Sequence, residues 1–226
     1  MTTDDARGIL SARPPAGPGE LARLRRRGFL LEYASMAWMT AEAAVAITAG
    51  VLASSVALTG FGLDSVIEFL SAAVVVWQLR REQAGRAAGE TRAVRIIGVT
   101  FFALAAYLTA EAIRDLAVGA RPDHSLPGLA VTAAALVVMP ALAIAKHRTG
   151  RALGSRTLLA DAAETAFCAA TSAATLIGTG LNAWAGWWQA DPVAALVIAA
   201  LAAKEGLEAW QNEDDEVDED RAAGDS

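Results

Sequence analysis

A single cysteine, Cys168, stands among 226 residues, and a lone thiol excludes a disulfide framework. A basic surplus is also lacking. The formal net charge is −6, and without the acidic run Glu213, Asp214, Asp215, Glu216, Asp218, Glu219, Asp220 the chain is near neutral. Nothing therefore suggests a nucleic-acid partner. The sequence contains no His-Glu-x-x-His run, no nucleophile elbow and no phosphate-binding loop, so no enzymatic activity is expected. A secretory signal is missing too: Asp4 and Asp5 precede a Pro/Gly-rich stretch, and the first apolar block is too long for a signal core. Finally, the apolar blocks lack the polar faces that outer helices of a soluble bundle require.

What remains is a membrane pattern. Hydrophobic residues make up 54% of the chain and the mean hydropathy is +0.36. Six apolar blocks, about 31–53, 58–79, 96–119, 127–145, 157–181 and 191–209, are each long enough to cross a hydrocarbon core of roughly 30 Å. Basic residues gather before the first block (Arg23, Arg25, Arg26, Arg27), between the second and third (Arg80, Arg81, Arg86, Arg92, Arg95), and between the fourth and fifth (Lys146, Arg148, Arg151, Arg156). That bias puts both termini in the cytoplasm. Trp184, Trp187 and Trp188 read as an interfacial belt before Asp191-Pro192. The expected organisation is a disordered basic leader over 1–28, an all-α six-helix transmembrane bundle over 29–210, and a disordered acidic cytoplasmic tail over 211–226. Pro140 is expected to kink the fourth helix.

Ionisable groups inside a bilayer cost at least about 2.5 kcal/mol each, so those retained there call for a partner. Asp64 and Glu68 are four apart and share one face of the second helix. Asp161, Glu164 and Cys168 follow i, i+3, i+7 and share one face of the fifth. At about 1.5 Å per residue, Glu68 and Cys168 both fall near the membrane midplane. Carboxylates so placed repel unless a cation compensates them, and a divalent ion accepts oxygen ligands plus one thiolate. The bland reading is a set of protonated structural acids. Asp64, Glu68, Glu164 and Cys168 form the candidate metal site, with Glu42 and Asp161 as candidate extra ligands or proton carriers. Glu111 is a further acid within the third helix. Glu32 and Asp161 are expected near enough to the inner interface to be solvated.

These residues resemble the transmembrane part of the cation diffusion facilitators, over about residues 30–210. In that family the second helix carries an acid, three residues, then another acid, matched by Asp64 and Glu68. Its fifth helix carries His, three residues, then Asp, and the matching positions are Glu164 and Cys168. Leu159-Ala160-Asp161, Ala190-Asp191-Pro192-Val193-Ala194-Ala195 and Lys204-Glu205-Gly206 also look like the family. Gly60-Phe61-Gly62-Leu63-Asp64-Ser65-Val66-Ile67-Glu68 is similar to a short bacterial cation-transporter subgroup. Two departures stand out: only sixteen residues follow Trp210, so the family's folded cytoplasmic C-terminal domain is not expected, and Glu164 and Cys168 replace the family's His and Asp. The family's His-rich loop is also reduced to His147.

The resemblance implies a secondary transporter of divalent metal cations of the zinc, cobalt or cadmium class, zinc foremost. It further implies export from the cytoplasm against protons, with no permanently bound cofactor. The partners expected are the metal, protons, the lipid of a bacterial inner membrane and, as a candidate assembly, a homodimer. The alternative is a non-transporting membrane adaptor or metal sensor built on the same bundle.

Overall fold

Within hydrocarbon a backbone amide finds no water, so every N–H and C=O must be satisfied inside the chain, and helices meet that demand segment by segment. The computed structural model describes residues 18–83 and 91–224. They form six helices: α1 Pro18–Ala53, α2 Val56–Gln83, α3 Thr91–Val118, α4 Leu126–Leu153, α5 Arg156–Ala185 and α6 Ala190–Gly224. No strand occurs among the described residues. The chain is a six-helix transmembrane bundle. By length and composition, α1 to α4 are each apolar enough to cross a membrane. Helices α5 and α6 are more polar, because α5 carries Asp161, Glu164 and a series of hydroxyl residues and α6 runs into the acidic segment.

The helices pack as three close pairs, α1 with α2, α4 with α5 and α3 with α6, and α2 also touches α3, α5 and α6. Helix α2 is accordingly central: 61% of its apolar span is buried, against 28% for α4. Outward-facing Leu52, Leu126, Val137 and Trp184 are exposed as lipid contacts require. The interior is built from small residues. A Cβ at Gly50 would lie 2.6 Å from the Thr59 backbone nitrogen, and one at Gly62 would lie 2.8 Å from that of Ile47. Only glycine permits that approach of α1 and α2. Buried Thr132, Thr165, Ser172 and Thr175 donate to carbonyls of their own helices, so their hydroxyl protons need no outside acceptor.

Tight turns are set by local chemistry. Ser125 and Ser155 cap α4 and α5, accepting from the Gly128 and Leu158 amides. Gly154 and Gly186 end those helices in the left-handed conformation. At the opposite end of the bundle from Gly154, Asp191 in the first turn of α6 accepts hydrogen bonds from Ser55 Oγ and, at 3.3 Å, from the Ala57 amide. This ties α6 to the α1–α2 turn.

Three expectations change. Helix α1 begins at Pro18, so residues 18–28 of the expected leader are helical; residues 1–17 lie outside the described residues. Pro18 suits the first helical position and Glu20 the positive helix end. The acidic segment expected to be disordered from 211 continues α6 through Gly224. Helix α4 runs to Leu153, eight residues beyond its apolar block, which carries Lys146 inside the helix.

Candidate metal site

Helical spacing alone sets the inward acids. On α2, Asp64 and Glu68 stack one turn apart and both are buried, at 4% and 6% exposure. On α5, Glu164 shares its face with Cys168. Ser71, one turn along from Glu68, donates to Glu164 Oε2 at 2.7 Å and so joins α2 to α5. Asp64, Glu68 and Glu164 line a common cavity of ≈ 10 Å³ together with Phe101, Phe167, Thr171, Ala202 and Glu205. That is room for about one water-sized sphere. Four carboxylates from three helices thus face one small space, and among the described residues no basic side chain lines it. Glu68 Oε2 is buried without a hydrogen-bond partner.

Cys168 lies beside this cavity, fully buried. Its Sγ is 4.0 Å from Glu42 Oε1 and is within reach of the Glu68 carboxylate. Glu42, on α1, accepts from Ser65 Oγ at 2.6 Å and from Trp38 Nε1 at 2.5 Å. It therefore stands behind the α2 acids with both oxygens engaged. Among the described residues, no three His, Cys, Asp or Glu side chains are arranged to hold a metal ion together. The acids line a shared wall, and coordination of one ion by several of them requires side-chain movement toward the cavity.

Asp161 goes elsewhere. It pairs with Lys146 of α4, which also donates to Glu32 Oε2 at 3.1 Å and Thr165 Oγ1 at 3.2 Å. Lys146 and Glu32 have 0% exposure and Asp161 has 3%. The expectation that Glu32 and Asp161 are solvated is corrected: an internal cation draws them in, because a buried charge is tolerable only when paired. Glu111 is likewise away from the cavity, paired with Arg114 at 2.6 Å on an exposed face of α3.

Two functional-looking groups escaped sequence reasoning. Glu205 lines the cavity, although its segment stood out only through family likeness. Lys146 falls among the loop cations by charge bias alone. Periodicity marks both. The buried positions of α6 run Asp191, Ala195, Ile198, Ala202, so the next inward position falls at Glu205. Those of α4 run Thr132, Ala135, Met139, Ala143, Lys146.

Residues 33–211 match the family model of the cation efflux transmembrane domain. Transmembrane protein 163 of Xenopus laevis is 30% identical over 156 residues, which cover 69% of this chain. The matched region spans 56% of the length of that relative.

Proposed function

The chain belongs to the cation efflux family, and from that premise we propose that it is a secondary transporter of divalent metal ions, exporting them from the cytoplasm in exchange for protons. Membership makes it an integral membrane protein of the type that moves metal cations. The metal, the direction and the coupling ion are this reading's own.

One observation carries it. Glu68 presents a buried, unpartnered oxygen in a cavity it shares with Asp64, Glu164 and Glu205. An unpaired carboxylate is expensive within a bilayer, and acids facing one another can be ionised together only with a cation between them. A divalent ion supplies that charge, and protons are its natural competitors for the same oxygens. Occupancy by metal or by protons in turn is what exchange transport needs. Cys168, beside Glu68 and Glu42, adds a soft donor, which favours zinc, cobalt or cadmium over harder ions. Basic residues at the end of the bundle bearing the termini favour a cytoplasmic location for that end, probed below by labelling.

The deciding experiment is metal flux in proteoliposomes containing the full chain, with a panel of divalent metals and with or without a pH gradient. Zinc or cadmium uptake that accelerates with an opposing proton gradient is expected. Metal binding without flux would overturn the transporter reading in favour of static binding.

A further inference from the structure

The acids of the cavity differ in burial. Asp64 and Glu68 are buried, whereas Glu164 and Glu205 are part-exposed. Glu164 is held by Ser71, but Glu205 comes from a different helix and a different helix pair, α3 with α6. Its neighbour Lys204 makes its direct ion pair with Glu208, and its charge acts on Glu205 only through space. The ammonium lies 2.6 Å from Glu208 Oε1 and 4.9 Å from the centre of the Phe167 ring. Next in sequence, Gly206 seats α6 tightly on α3: a Cβ there would be 3.1 Å from the Gly98 carbonyl oxygen. That contact fixes where α6 presents Glu205. Phe101 and Phe167 wall the same cavity, and an apolar wall strengthens the attraction between a carboxylate and a cation.

We propose that Glu205 is the loading ligand of this cavity: with Glu164 it takes up a hydrated divalent cation at the part-exposed rim and passes it to Asp64 and Glu68. The inference rests on the transporter reading and deepens it, since neither helical spacing on α2 and α5 nor family likeness assigns a ligand to α6. The unpartnered Glu68 oxygen at the floor gives the ion a destination, and the charge at the rim gives it an entry. A loading ligand sets how readily metal is captured. It does not set the ceiling on turnover, which belongs to the floor.

The test uses the full chain in proteoliposomes, with zinc and cadmium as probes, and compares wild type, Glu205→Gln, Glu205→Asp and Glu68→Gln. Glu205→Gln is expected to raise the half-saturating metal concentration ~10-fold, the scale on which groups supporting a metal site act. Glu205→Asp should recover part of the lost affinity. Calorimetric zinc titration of the purified proteins should show the same weakening. Unchanged half-saturation and unchanged zinc affinity in Glu205→Gln would overturn the proposal. So would a collapse of maximal flux at unaltered affinity. Glu68→Gln separates the two ideas: its loss of flux beside a normal Glu205→Gln would retain the transporter and discard the loading role. Absence of flux in wild type would remove the transporter, while the titration would still report whether Glu205 binds metal.

Discussion

Lys146 Nζ lies 3.1 Å from Glu32 Oε2, joining two fully buried side chains that are 114 residues apart in the chain. With Asp161 on the same ammonium, this cation ties α1, α4 and α5 together. Removing it would strand two carboxylates without water or counter-charge. Lys146→Met is therefore expected to destabilise the bundle by about 3–5 kcal/mol. Glu32→Gln should cost less, since Asp161 still pairs with Lys146. Thermal unfolding of the purified variants in detergent measures both, and equal melting of Lys146→Met and wild type would contradict this account.

The cavity acids make a sharper prediction. Asp64→Asn and Glu68→Gln preserve shape while deleting charge, so insertion should survive and metal flux should collapse. Lower pH should weaken metal binding in the wild type, because coordinating groups must first lose their protons. Metal uptake at several pH values, with membrane expression checked for each variant, reads both effects. Wild-type flux in both mutants would eliminate this site.

Cys168 tests selectivity. Cys168→Ser should reduce cadmium and zinc uptake more than manganese uptake, because the thiolate is the softest donor beside the cavity. Cys168→Asp should keep transport while shifting preference toward harder ions. An equal loss for all three metals in Cys168→Ser would make the cysteine a packing residue.

Orientation can be read by labelling. Asp123 is exposed at the α3–α4 connection and Arg148 is exposed near the other end of α4. A cysteine at 123 should react with an impermeant reagent added outside whole cells, and one at 148 should not. Native Cys168 is buried and contributes little background. The reverse pattern would invert the direction of transport.

Much of this architecture was legible in the sequence for identifiable reasons. Long apolar blocks announce helices because the bilayer imposes a length, and the i, i+4 spacing of Asp64 and Glu68 fixes their common face before any packing is known. The burial of Lys146 was not legible in the same way. Charge bias treats a lysine at the end of an apolar block as a loop residue, and only the register of α4, carried on past Ala145, turns it inward. Asp161 shows the reverse difficulty. It shares a face with Glu164, yet its partner belongs to a different helix, and spacing within one helix says nothing about that. Glu205 joins the cavity through the meeting of α6 with α2 and α5, a tertiary event.

The glycine contacts between α1 and α2 have a mechanical consequence. With Gly50 and Gly62 set against the backbone nitrogens of Thr59 and Ile47, neither helix can roll or slide past the other without collision. Glu42, Asp64 and Glu68 consequently ride on one stiff lever, joined by a two-residue turn that Asp191 clasps from α6. Motion that reshapes the cavity has to be supplied by its other walls, at the seams where the lever meets α5 and the α3–α6 pair.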